Sequence, residues 1–246
     1  MIGAISGIGG GVIIKPMLDM IISGQSMASI SMISSCGVLS MSLLSILRNA
    51  RAGEKRQKLR PFAVPLAIGS ACGGVAGKTL FNMLKAALHA DAAVKTTQNL
   101  LLLAVMIAVF LLGLRKTETR ETTPAALPTL LTGAALGVLA AFLGIGGGPL
   151  NMAVITLIFG LSFKEGALYS LFIIVFSQTA GILTSLLTPG YDFPSLLQIL
   201  TACLAGIGGS MIGRTLAKKM SNGAVLILYR CALVYIMAIC VINCLR

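Results

Sequence analysis

Charge is what this 246-residue sequence lacks most: 11% of its residues are charged, and only seven are acidic. A soluble domain carries about 25% charged residues and roughly 45–50% apolar ones. With 57% hydrophobic residues and a mean hydropathy of +0.96, too few charges remain to solvate a globular surface. An ordinary soluble enzyme is excluded, and so is a disordered chain. Histidine is nearly absent as well. His89 stands alone in the polar loop Lys85–Lys95, beside Asp91, so neither a Ser-His-Asp triad nor a multi-histidine metal site is available, and the chain is read as not an enzyme. The six cysteines are scattered through apolar stretches with no Cys-x-x-Cys pair, which excludes a disulfide scaffold and makes them reduced packing residues. Cys240 and Cys244 share a helix face, but two thiols without further ligands make a poor metal site. No metal and no cofactor are expected.

Long apolar runs take the place of the missing charge. They cover about 1–23, 28–47, 61–84, 97–114, 128–160, 166–187, 194–216 and 223–244. Runs of about 20 apolar residues are membrane-spanning candidates. The fold expected is an all-α polytopic membrane protein with about eight hydrophobic segments. The net charge of +12 resembles a nucleic-acid signal until it is located. Arg48, Arg51, Lys55, Arg56, Lys58 and Arg60 crowd one short stretch against Glu54, and Arg115, Lys116 and Arg120 lie in a central polar run that ends at Pro124. Few aromatic residues lie among them to stack on bases, and short Lys/Arg-rich loops are cytoplasmic in membrane proteins. Loops 48–60 and 115–127 are therefore expected in the cytoplasm of a multi-pass protein of the bacterial inner (cell) membrane. No nucleic-acid partner is expected.

The chain repeats itself. Gly7-Ile8-Gly9-Gly10-Gly11 recurs as Gly144-Ile145-Gly146-Gly147-Gly148 at an offset of 137, Gly73-x-x-x-Gly77-Lys78-Thr79-Leu80 recurs as Gly209-x-x-x-Gly213-Arg214-Thr215-Leu216 at 136, and Ala28-x-x-Ser31 matches Ala167-x-x-Ser170 at 139. Three matches in one order mark a duplication. The halves are 1–114 and 128–246, joined by the linker 115–127, with four segments in each. Residues 128–136 match positions before Met1, so the first half lacks about two turns of its opening segment; no basic stretch precedes that segment to make it a cleaved signal peptide.

Segment 128–162 is too long for a simple span. Its 35 residues would make a helix of about 52 Å against a hydrocarbon core of about 30 Å, with glycines at the middle followed by Pro149. It is either a broken span, giving four crossings per half and parallel repeats, or a re-entrant hairpin, giving three and inverted repeats. The basic loop 48–60 corresponds to 185–197, which has no Lys or Arg, while Phe81-Asn82 correspond to Lys218-Lys219. Opposite charge bias in equivalent loops favours the inverted arrangement.

The two glycine runs are the candidate site. Glycine lets backbone approach a ligand, irregular backbone inside a membrane belongs where protein buries it or it lines a watery cavity, and a half-helix starting there presents N–H groups to an anion. Close helix packing through small residues is the competing reading. Gly9, Gly10, Gly11, Gly146, Gly147 and Gly148 are the site glycines. Neither run is a dinucleotide motif, since no strand precedes it and no acid follows it in a βαβ unit. Gly73–Thr79 misses a phosphate-binding loop because Cys72 fills the first glycine position, and helix packing explains it better. Lys78 and Arg214 occupy equivalent positions; they either attract an anion as a symmetric pair or both snorkel to the headgroups, the second being slightly preferred, with Arg214 kept among the candidate site residues. Lys15 and Asp19, at i and i+4, share a face and are functional candidates as intramembrane ionisable groups, Lys15 for substrate charge and Asp19 for proton coupling, with a structural ion pair as the alternative. Ser31, Ser34, Ser35, Ser170, Ser177, Asn151 and Gln178 offer hydrogen bonds to ligand oxygens or to neighbouring helices. Asn151 and Gln178 are the better candidates among them.

These residues carry a resemblance. The chain resembles the sulfite exporter TauE/SafE family of membrane transporters, also called the toluene sulfonate uptake permease family, in Gly7–Gly11 with Pro16, in Gly144–Gly148, in the Ala-x-x-Ser helix, in the basic loop 48–60 and in the small-residue segment Gly69–Gly77. Coverage is essentially full length. Lys15 and Asp19 depart from positions that are usually apolar. The resemblance implies transport of sulfur-containing anions such as sulfite or organosulfonates, driven by an ion gradient. The expected function is a secondary transporter whose partners are a small anion, protons as candidate coupling ions, and the bilayer, with a homo-oligomer left open. A passive anion channel and a non-transporting accessory subunit are the alternatives.

Overall fold

The structure, a computed structural model, describes residues 3, 11–21, 25–51, 60–88, 91–113, 125–144 and 146–245. Among them are nine helices given with their bounds: α1 Gly11–Ile21, α2 Met27–Ala50, α3 Ala63–Leu88, α4 Asp91–Leu112, α5 Ala126–Leu143, α6 Gly148–Ile158, α7 Phe163–Leu187, α8 Leu196–Lys219 and α9 Asn222–Leu245. No strand occurs among the described residues. Six of the helices (α2, α3, α5, α7, α8 and α9) are long and apolar enough to cross a membrane.

Local sequence fixes the helix ends. Ser162 with Glu165 and Ser195 with Gln198 form reciprocal capping boxes that open α7 and α8, and Ser26 accepts from the Ser29 N–H to open α2. Each satisfies amides that a helix start leaves without a partner. α5 stops at Gly144 in the left-handed region, and α6 starts after Gly147, also left-handed, with Pro149 in its first turn. A proline is tolerated there because its missing N–H has no helical partner anyway.

The directions of the helices follow from their contacts. Going along α3, a methyl on Gly69, Gly73 or Gly77 would collide in turn with the carbonyl oxygens of Leu130, Ala134 and Val138, so α3 and α5 run parallel with backbones touching. α3 is also parallel to α7: the Phe62 ring, just before α3, stacks on Tyr169, Ser70 bonds the Ile173 carbonyl, and Asn82 bonds Thr188. α2 runs parallel to α8, with the Cys203 thiol on the Cys36 carbonyl and Ser45 on Ser210. α2 opposes α7: Ala28 at its start meets Tyr191 beyond the end of α7, whereas Val38 and Met41 cluster with Leu171 and Ile174. Repeat mates α2 and α7, and α3 and α8, therefore run in opposite directions. The repeat is inverted.

The same geometry decides between a broken span and a hairpin. α5 and α7 both run with α3, so the chain between them must return to its starting side. α6 carries it back antiparallel to α7, with Gly148 beside Ser170 and Ile155 beside Gly166, and Phe159 beyond its end stacks on Phe62. α5 and α6 form a re-entrant hairpin with a glycine turn at its tip. Five described basic residues, Arg48, Arg51, Arg60, Lys164 and Lys219, gather at the end of the bundle where that hairpin begins, while Lys85, in the last turn of α3, lies at the other end.

Candidate substrate site

The hairpin tip is built from Gly144, Gly146 and Gly147, at φ 64°, 78° and 67°. A side chain at Gly144 would be strained by that φ and crowded as well, since a Cβ there would lie 2.5 Å from Ser31 Oγ and 3.1 Å from Lys15 Nζ. Lys15 is buried and donates to the Leu143 carbonyl at 2.6 Å and to Gln98 Oε1 at 2.8 Å, while Gln98 Nε2 donates to the Phe142 carbonyl at 2.6 Å. A cation at the carbonyl end of a helix meets the negative pole of its dipole. Lys15 thus fastens α1 to the last turn of α5.

Beyond the tip, Asn151 is 0% exposed, and among the described residues neither its Oδ1 nor its Nδ2 has a hydrogen-bond partner. Ser170 donates to the Gly148 carbonyl at 3.3 Å, and Ser34 to the Gly11 carbonyl at 3.5 Å. By contact, the mate of Ser170 is Ser34, one turn beyond the Ser31 that the sequence match selects.

A narrow cleft lies against the other side of the tip and is lined by Ser31, Met32, Ser35, Lys78, Ala141, Gln178, Gly181, Ile182 and Ser185. Among the described residues its lining cation is Lys78, only 4% exposed. Lys78 Nζ donates to the Tyr191 hydroxyl at 3.1 Å and sits 4.9 Å and 5.2 Å from the ring centres of Phe81 and Tyr191. Among the described residues no carboxylate pairs with it. Tyr191 passes its own proton to the Ala28 carbonyl at 2.8 Å, and burial holds its phenol above the ordinary range, so it stays a neutral O–H.

The family model described as Sulfite exporter TauE/SafE matches residues 1–241. The chain belongs to the TauE/SafE family. It is a multi-pass membrane protein of a transporter family rather than of an enzyme family. No curated protein and no solved structure matches the chain.

Within this TauE/SafE protein the candidate residues divide in two. Ser31 and Gln178 line the Lys78 cleft, and Gly146 faces it from the tip, where a Cβ would lie 3.8 Å from Gln178 Nε2. Lys15 joins this group through Gly144 and Ser31. Asn151, Gly147, Gly148 and Ser170 lie on the α6 side of the tip and do not line the cleft. Gly11 is buried at the start of α1. Gly9 and Gly10, and the side chains of Asp19 and Arg214, fall outside the described residues.

The snorkelling expected of Lys78 does not occur. Its ammonium turns inward to a phenol and two rings instead of outward to headgroups. Its match with Arg214 was the available sequence signal. Tyr191, Gln98 and Ser185 carried none: Tyr191 lies in a short polar loop, and the other two lie on helices whose facing neighbours a sequence does not name.

Proposed function

We propose that this protein is a secondary transporter that moves a small sulfur oxyanion through the Lys78 cleft. The observation that carries the proposal is a buried ammonium bonded to a phenol, with no carboxylate paired to it among the described residues, beside Ser31, Ser35, Gln178 and Ser185. An ionisable group inside a membrane is expensive and faces a partner or a pathway. An ammonium has three donors, and among the described residues one oxygen, the Tyr191 hydroxyl, is bonded to this one. An anion with several oxygens answers that arrangement. The lysine balances its charge, the hydroxyls and the Gln178 amide take the remaining oxygens, and charge-assisted hydrogen bonds are the strong ones. Sulfite and organosulfonates have that form.

The basic end of the bundle is assigned to the cytoplasm by the positive-inside rule, with the linkers 48–60 and 115–127 on that side. The cleft then lies towards the opposite, external end. Asp19, one turn beyond Lys15, is proposed as the coupling acid, and Arg214 as the counterpart of Lys78 in the second half. In this reading Gly147 and Asn151 serve the hinge of the hairpin.

Proteoliposomes test this reading with radiolabelled sulfite and a taurine-type sulfonate, each with and without an imposed proton gradient. Uptake that rises with the gradient is expected. Uptake indifferent to the gradient would make the protein a channel, and no uptake of either anion would overturn the transport reading.

A further inference from the structure

The loop between α7 and α8, residues 188–195, is tied down at several points. Asn82 Nδ2 donates to Thr188 Oγ1 at 3.2 Å, and Ser29 Oγ to the Asp192 carbonyl at 2.9 Å; Ser26 Oγ donates to the Asp192 carboxylate, and Tyr191 holds the Ala28 carbonyl. The loop is a strap joining α7 to α3 and to the first turn of α2, and its central residue lies over Lys78. Tyr191 connects the two functions, since its oxygen accepts from Lys78 while its proton goes to α2.

That arrangement conflicts with an anion in the cleft. With its proton committed to Ala28, the Tyr191 oxygen presents only lone pairs to anything beside Lys78. An oxyanion bonding the same ammonium would face that oxygen at close range, and like partial charges repel. The conflict disappears if the hydroxyl rotates. The O–H then points to the anion, where a hydrogen bond to a charged acceptor is stronger than one to a backbone carbonyl. The Ala28 link is lost in the exchange.

We propose that Tyr191 is the anion's sensor and latch: an oxyanion on Lys78 draws the Tyr191 hydroxyl away from the Ala28 carbonyl, which loosens the strap 188–195 on α2 and leaves it held there by Ser26 and Ser29 on Asp192. This rests on the Lys78 cleft being the substrate site. It makes Tyr191 a ligand of the bound state and a clasp of the empty one. Cargo and strap are thereby linked, because each favours the other's open state and the linkage is reciprocal. An anion too large to sit within reach of both Lys78 and Tyr191 would bind without loosening the strap and would not be carried.

The chain has no tryptophan, which makes the test clean. Phe193, half-exposed on the strap with its ring 5.0 Å from that of Tyr191, is replaced by tryptophan (Phe193→Trp) in the full-length protein in lipid nanodiscs. Sulfite binding is measured by equilibrium dialysis and strap movement by tryptophan emission. Sulfite is expected to shift the emission with the same midpoint as binding. With Tyr191→Phe added, the emission should stand at the anion-bound value before any sulfite is present, and sulfite affinity should fall about tenfold, as for a lost hydrogen bond to a charged group. Asp192→Ala, which frees the strap from Ser26 without touching Lys78, should instead tighten sulfite binding. A strap that merely supports the site would weaken binding when cut or leave it unchanged. Sulfite binding with no emission change, or weaker binding in Asp192→Ala, overturns the latch and leaves the site assignment standing. No sulfite binding to the unmodified protein overturns the site assignment and the latch with it.

Discussion

Two buried lysines, Lys15 and Lys78, stand near one glycine turn, and their partners give them different work. Lys15 engages a backbone carbonyl and an amide oxygen, and those groups in turn hold the end of α5. Removing it with Lys15→Met takes this donor from the Leu143 carbonyl and from Gln98 Oε1 in a buried setting, at a cost of about 1–3 kcal/mol. A lower melting temperature is expected, with transport falling only as folded protein falls. Asn151 should behave in the reverse way. Its amide is buried with no partner, a state that also costs about 1–3 kcal/mol. Asn151→Leu should therefore melt higher while transport drops, as groups kept at a stability cost in functional sites do; a higher melting temperature with unchanged flux would leave Asn151 without a functional role. The sequence singled out Lys15, Ser31, Gln178 and Asn151 because polar groups stand out in apolar segments. It could not rank Lys78, because snorkelling and burial differ only in which way a long side chain turns, and that is decided by Phe81 and a loop tyrosine 113 residues away.

Among the elements, the parallel α3–α5 pair is the closest helix seam, made possible by glycines on both sides. Gly73→Leu would drive a side chain into the Ala134 carbonyl, and overpacking of that kind costs about 1–3 kcal/mol or more. A large loss of folded protein in detergent is expected. Gly208→Leu is the control, since a Cβ there meets nothing within 4 Å, and it should fold as the unmodified protein does. The small-residue spacing of this seam was legible in the sequence. The hairpin was legible only as one of two options. Length and Pro149 located the break, but whether a broken helix continues or returns depends on the relative direction of α5 and α7. That is a tertiary fact, carried by contacts such as Phe62 with Tyr169 and Ser70 with Ile173.

At the scale of the molecule, inversion of the repeat explains the charge pattern that hinted at it. Mates that run oppositely place the end of α2 and the start of α3 at the basic end, and the end of α7 and the start of α8 at the other, where Asp192 lies. Impermeant labelling should therefore reach a cysteine placed at Asp192 from outside intact cells, and one placed at Arg51 only after the membrane is opened; the opposite result would invert the topology. The inverted frame brings the glycine turn, α2, α3 and α7 around a cleft lined by Lys78. The most direct test compares sulfite uptake by the unmodified protein and by Lys78→Met, reconstituted at equal density in proteoliposomes. The account predicts uptake by the first and background flux from the second, with both folded. Uptake by Lys78→Met at the unmodified rate would contradict it.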